Sequence, residues 1–336
     1  MKKHIISALL AAIIAFPAAA QKQAKETFPS PNEIVDKAPA KDWVTISESD
    51  LLVMDLAADR DGKARRVVIQ LMPAPFSQGW IGNIRKLAAA KWWDGTSVNR
   101  VQDNYVVQWG DATEKKALPD GLKVMEEREY EVVKPTKMMK SKIARFFDWG
   151  ENHEAGTIFS QYKAGSVVLH GGSYSFLNLF EQGFPISMQL EQHFKQSSAP
   201  VHCYGMVGVG RGYSPDTGSG AELYTVIGHA PRHLDRNIAL VGRVIEGIEH
   251  LSSLPRGTGP LGFYEKAEQR VPITSVRIQS RMPTDKPLPS YEYLSTESEA
   301  FARYADARAN RRDPFFIKPA GGADICNIPV PVRRKK

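Results

Sequence analysis

A mainly β protein of short strands is the fold class that the sequence predicts, and three observations carry that expectation. Short runs rich in Val, Ile and Leu recur between Leu51 and Ile278, each closed by turn-forming residues. Gly supplies 26 and Pro 22 of the 336 residues, slightly above average usage, which favours turns over long helices. Helical periodicity is confined to a few short stretches. Hydrophobic residues at 42%, charged residues at 24% and a mean hydropathy of -0.33 exclude a disordered chain and a polytopic membrane protein. At about 150 residues per domain, the length allows one large or two modest domains.

The first twenty residues stand apart from the fold. Lys2, Lys3 and His4 make a basic start, residues 5–16 an apolar run, and Ala18, Ala19 and Ala20 a small-residue cleavage site. This is the pattern of a secretory signal peptide, and the run is too short for a transmembrane helix. Cleavage near Ala20, before Gln21, and a periplasmic destination are expected. No second apolar run approaches ~18 residues, so no membrane span is expected in the mature chain. Cleavage takes Lys2 and Lys3 with it and lowers the net charge from +7 to +5. Such a charge on a chain of this size reads as a solvated basic surface, and no nucleic-acid partner is expected. Cys203 and Cys326 could bridge in an oxidising compartment and tie the C-terminal tail to the core. Two buried free thiols are the other reading, because sequence alone supplies no distance between them.

Residues 21–45 are polar, with Pro29, Pro31 and Pro39, and read as a flexible lead. A strand is expected over 51–56, a turn at Asp61-Gly62 and a partner strand over 66–71, forming a hairpin. Trp80, Ile84, Leu87 and Ala88 then fall at i, i+4, i+7 and i+8, the apolar face of a helix ending near Lys91. After Asp94-Gly95 come strands over 97–102 and 105–108. Residues 112–200 show no comparable pattern. Strand character returns over 201–209, 224–227 and 238–244, followed by a short helix over 245–254 stopped by Pro255 and a closing strand over 271–278. In the tail, 281–336, Thr296 and Glu299 fit a capping box, and a helix is expected over 296–312.

Several chemical signatures fail. Gly208-Val209-Gly210-Arg211-Gly212 is followed by Tyr213 and no ribose-binding acid, so it reads as a strand and turn rather than a dinucleotide loop. His229 and His233 lack the Glu of a zinc protease and enclose Pro231. There is no Gly-x-Ser-x-Gly elbow and no cysteine pair with metal-binding spacing.

Two other segments do carry a pattern. One runs Trp93-Asp94-Gly95-Thr96-Ser97-Val98-Asn99-Arg100-Val101 and continues with Tyr105-Val106-Val107-Gln108-Trp109-Gly110-Asp111. The other combines Gly205-Met206-Val207, Gly220-Ala221-Glu222-Leu223-Tyr224, His233-Leu234-Asp235 and Val241-Gly242-Arg243-Val244. Together they resemble the cyclophilin family of peptidyl-prolyl cis-trans isomerases in motif order and spacing, over about 50–111 and 201–278. The resemblance implies a closed antiparallel eight-stranded barrel capped by two helices, spanning 46–280 and interrupted by an insertion at 112–200. It also implies an isomerase acting on Xaa-Pro bonds of Pro-containing polypeptide clients, with no cofactor and no metal.

That reaction suits these residue types. Rotation about an Xaa-Pro bond needs no nucleophile and no proton carrier. Its barrier comes from C–N double-bond character, about 18–20 kcal/mol for a peptide bond. A site that seats proline in an apolar pocket and aims a fixed cation at the nitrogen favours the twisted state. By resemblance Arg100 is that cation and Gln108 binds the carbonyl side. Tyr105, Val106, Tyr224 and Leu234 form the pocket, and the backbone around Val207 and Gly208 pairs with the client. Three departures touch this substrate-binding set: Glu222 stands where the family has Gln, Ile238 where it has His, and Gly208 where it has Asn. His233 falls at the aromatic position before Leu234, Asn99 replaces a His, and residues 211–215 are extra. The sequence therefore supports two readings, an exported isomerase that assists folding and a catalytically weak barrel that binds Pro-containing segments or a protein partner. Clients and oligomeric state are not legible.

Overall fold

The structure is a computed structural model that describes residues 28–133, 137, 139–140, 167–190, 196–283 and 288–335. The expected signal peptide lies outside the described residues. The chain begins with helix α1 (Pro31–Asp36) and strand β1 (Trp43–Thr45), then enters the hairpin β2 (Leu51–Leu56) and β3 (Arg65–Leu71). Helix α2 (Gln78–Ala89) leads to a second hairpin, β4 (Ser97–Val101) and β5 (Val106–Gly110). A separate sheet follows from β6 (Val168–His170), β7 (Leu177–Glu181), β8 (Phe184–Leu190) and β9 (Gln196–Pro200). The chain then returns through β10 (Met206–Val209), β11 (Leu223–Val226), β12 (Leu240–Glu246), helix α3 (Glu249–Ser252) and β13 (Val271–Ile278). It ends with β14 (Tyr291–Leu294), helix α4 (Glu299–Ala309) and β15 (Val332–Arg334).

Eight of these strands close on themselves in the order β10-β11-β5-β4-β13-β2-β3-β12, each pair antiparallel. Closure leaves no free sheet edge and encloses an interior that side chains fill. The hairpin shows how the sequence specifies this. Leu52, Met54 and Leu56 alternate into the barrel core together with Val67, Ile69 and Leu71. Leu51 and Val68, on the opposite face, are equally buried, beneath Tyr291 and Ile46. The hairpin is therefore apolar on both faces, because β1, β14 and β15 form a second sheet over its outside. Helix α2 places Trp80, Ile84, Leu87 and Ala88 in the core, as its periodicity predicts.

Four expectations change. Within the described residues, the flexible lead is built structure. Ser30 caps α1 through a reciprocal bond with Glu33, α1 packs on α4, and β1 pairs with β14. The tail helix starts later than expected, because Ser298 rather than Thr296 accepts the first free amide, from Phe301 at 3.0 Å. The helix over 245–254 shrinks to α3, since β12 runs on to Glu246 and pairs with Val68. The patternless 112–200 segment contains the four-stranded sheet, whose β7 is buried along its whole length. Cys203 and Cys326 form a disulfide with a Cα–Cα distance of 5.0 Å, fastening the tail beside β10.

Candidate functional site

Hairpin β4–β5 sets Arg100 opposite Gln108. The Arg100 fork is occupied on three sides: Nε donates to the Leu261 carbonyl at 2.7 Å, Nη1 to Gln108 Oε1 at 3.1 Å, and Nη2 to Gln102 Oε1. Its central carbon lies 5.8 Å from the Tyr105 ring centroid and 5.4 Å from that of Phe263. Leu261 and Phe263 arrive on a Gly-rich loop laid along β4, where Gly257 donates to Val101 and Tyr264 to Asn99. Burial pushes the Arg100 pKa down, yet a guanidinium starts so high that it remains charged. Its conformation is fixed before anything binds, which lowers the ordering cost of using it.

Beside this cation lies an apolar hollow. Val106, Tyr224 and Val226 form a buried cluster separate from the barrel core, with Tyr105 and Ile238 packed on its rim. Both features open into one cleft of about 730 Å³. Of the residues singled out from sequence, Arg100, Tyr105, Val106, Gln108, Glu222, Tyr224, Leu234 and Ile238 line this cleft. Val207 and Gly208 do not. Val207 sits fully buried in the barrel core, and Gly208 lies under the Tyr224 ring. Between them the β10–β12 register shifts, and such an irregularity loosens regular backbone pairing. His233 is exposed and stays outside the lining, but stacks on Tyr105 with ring centroids 6.3 Å apart and planes 13° apart.

Glu222 closes one end of the cleft. Trp93 Nε1 donates to the Ala221 carbonyl at 2.8 Å, which pins the neighbouring residue against the barrel. A side chain on Gly110, at φ +156, would meet the Glu222 carboxyl at 1.9 Å and force it to move. Burial pushes the Glu222 pKa up to about 7, outweighing the Gln108, Asp111 and Asn99 bonds that favour its charged form. Its Oε2 is enclosed and finds no hydrogen-bond partner among the described residues. A pKa raised on folding means stability falls as pH rises from the unfolded value near 4.5 through about 7. Glu222→Gln is therefore expected to stabilise the protein by about 1–3 kcal/mol at pH 8 and by almost nothing at pH 4. Urea unfolding at the two pH values measures the difference.

Other residues of the site carry no local signal. Leu261 and Phe263 lie in a stretch of glycine and proline with no chemical motif. His202 stands alone beside a cysteine, yet its Nε2 meets the Tyr224 hydroxyl at 2.8 Å. Asp235, within the His-Leu-Asp motif, was legible as part of a pattern but not as the partner of His202, 33 residues away.

The comparisons agree with this geometry. The family model for the cyclophilin type peptidyl-prolyl cis-trans isomerase matches residues 61–280. Among solved structures, the chain is similar to cyclophilin AquaCyp293 from Hirschia baltica at 20% identity and a TM-score of 0.58, covering 88% of this chain and 94% of that one. It also aligns with a cyclophilin type peptidyl-prolyl cis-trans isomerase of Cryptosporidium parvum at 10% identity and a TM-score of 0.34, covering 67% and 98%. No curated protein sequence matches. The first structural likeness supports the fold, and the family model covers more than half of the chain, including β3, the second hairpin, the cleft and the closing strand. The chain belongs to the cyclophilin-type peptidyl-prolyl cis-trans isomerases.

Proposed function

We propose that this isomerase is exported and turns Xaa-Pro bonds of proteins folding in the periplasm, with Arg100 as its catalytic residue. The observation that carries this reading is a guanidinium held by three acceptors beside an apolar hollow. A proline ring seats on Tyr105, Val106 and Tyr224, with Leu234 and Ile238 closing the far wall. As the C–N bond twists, its double-bond character is lost and the nitrogen lone pair localises. Arg100 stabilises that lone pair more than the planar amide, and such a difference lowers the barrier. Gln108 presents its oxygen to Arg100 and one amide N–H to the Glu222 carboxylate, which leaves its second amide N–H for the client's carbonyl side.

Gly208 contributes space rather than contact. A Cβ there would fall 2.3 Å from the Tyr224 hydroxyl and 2.4 Å from the ring carbon bearing it. Gly208→Ala is expected to displace the pocket floor and raise KM for an Xaa-Pro peptide about tenfold, the scale of a modest overpacking cost. Steady-state isomerisation kinetics check it.

The export reading rests on the basic start, apolar run and alanine triplet before Gln21, and no helix of the described residues is long and apolar enough to cross a membrane. Expression in a bacterium followed by N-terminal sequencing of the periplasmic fraction should return Gln21 as the first residue. Full-length protein retained in the cytoplasm would exclude this destination. A second reading, capture of Pro-containing segments without turnover, is favoured by the enclosed Glu222 carboxyl at a position where the family has an amide. Isomerisation of an Xaa-Pro peptide separates the two: acceleration supports the isomerase, and affinity without acceleration supports capture.

A further inference from the structure

The floor of the apolar hollow is a tyrosine whose hydroxyl has been given a buried partner. His202 is fully enclosed, with its ring 10° from coplanar with that of Tyr224 and the centroids 6.3 Å apart. Both imidazole nitrogens are engaged, Nε2 with the Tyr224 hydroxyl at 2.8 Å and Nδ1 with Asp235 Oδ1 at 2.8 Å. Asp235 also accepts the backbone N–H of His202 at 2.9 Å and Nε of Arg232 at 2.6 Å. A carboxylate with three donors acts only as an acceptor, so Nδ1 carries the proton and Nε2 receives the tyrosine O–H. Burial holds the His202 pKa below the usual imidazole range, consistent with a neutral ring.

This arrangement leads away from the cleft into the tail. Arg232 Nη1 reaches Asp324 Oδ2 at 3.3 Å, and Asp324 Oδ1 accepts the Cys326 amide at 2.8 Å. Cys326 is bonded to Cys203, the residue next to His202, so the circuit closes on itself. Gly208, which has no side chain, makes room for the phenol against β10, since a Cβ there would fall 2.3 Å from the hydroxyl. A phenylalanine floor would need none of this. A buried hydroxyl needs a partner, and a fixed partner in turn fixes the ring.

We propose that His202 is a positioning residue of the proline pocket, holding the Tyr224 ring in place from a scaffold anchored by Asp235 and the disulfide-tied tail. The inference rests on the isomerase reading above. His202 acts through Tyr224 and does not touch the client. Its loss should weaken binding of planar and twisted proline alike, which appears in KM rather than kcat.

A set of variants tests it. Tyr224→Phe removes the hydroxyl together with its need for a partner, and its KM and kcat are the reference for the histidine variants. His202→Phe strands the hydroxyl and should raise KM about tenfold with kcat within threefold. Combining the two should leave KM within about threefold of Tyr224→Phe alone, a coupling that a general packing defect would not show. His202→Gln can still accept from the hydroxyl and should keep KM close to wild type if His202→Phe does not fold. Unchanged KM in His202→Phe, or a double variant whose KM exceeds that of Tyr224→Phe by the full His202→Phe factor, overturns the proposal. Histidine ¹⁵N spectra read the same contact without turnover: an unprotonated Nε2 whose signal moves in Tyr224→Phe supports it, and a protonated Nε2 overturns it. Wild-type protein with that ¹⁵N signature but no isomerisation would instead remove the isomerase reading and leave the contact standing.

Discussion

Arg100→Ala is expected to lower kcat/KM for an Xaa-Pro peptide by about 10²–10³, the loss typical when one preorganised transition-state donor is removed. That corresponds to roughly 3–4 kcal/mol of barrier. The fold should survive, because Arg100 sits on the cleft wall and the barrel core beneath it is continuous. Peptide affinity should change much less than turnover, since Tyr105, Val106 and Tyr224 remain. Arg100→Lys should recover only part of the rate, because one ammonium cannot bond Leu261, Gln108 and Gln102 in a planar fork while facing the client. Steady-state kinetics with matched thermal melts distinguish lost chemistry from lost structure.

The second large effect concerns stability. Cys203 and Cys326 are separated by 123 residues, and a cross-link over a loop of that size removes much of the unfolded chain's freedom. Replacing both cysteines with serine is expected to cost about 3–5 kcal/mol. Thermal unfolding should then begin roughly 5–10 °C lower. Wild-type protein in strong reductant should lose a similar amount, which separates loss of the bond from the effect of the serines. The same treatment should loosen Asp324 from Arg232, since the bond holds Cys326 and its neighbours in place.

Local patterns made the hairpin β2–β3, helix α2 and hairpin β4–β5 legible, because each is encoded within a few consecutive turns or pleats. Arg100, Tyr105 and Gln108 were legible through the family resemblance, since they lie within nine residues of one another in a single continuous motif on that second hairpin. The outer sheet was not. Its strands β1 and β15 have three residues each, too few to show a period, and their partner β14 lies far away in sequence. In the 112–200 segment, β7 and β8 bury polar residues, Asn178, Glu181 and Ser187, among their apolar ones, and β8 contains Pro185, so neither carries a plain strand signal. At the site, residues supplied from a distance stayed hidden. Leu261 reaches Arg100 across 161 residues through its backbone carbonyl, an acceptor that any residue type would offer. His202 is a buried histidine outside any motif, and its role appears only beside the Tyr224 hydroxyl.

The central claim is that a fixed cation beside an apolar hollow catalyses rotation about the Xaa-Pro bond. Exchange spectroscopy on a peptide with a single Xaa-Pro bond tests it most directly, because it observes cis and trans populations interconverting at equilibrium. With wild-type protein the exchange should rise far above the uncatalysed rate, which takes tens of seconds or more, and with Arg100→Ala it should fall back toward that rate. Exchange that stays at the uncatalysed rate with both proteins, or stays equally fast with both, would contradict it.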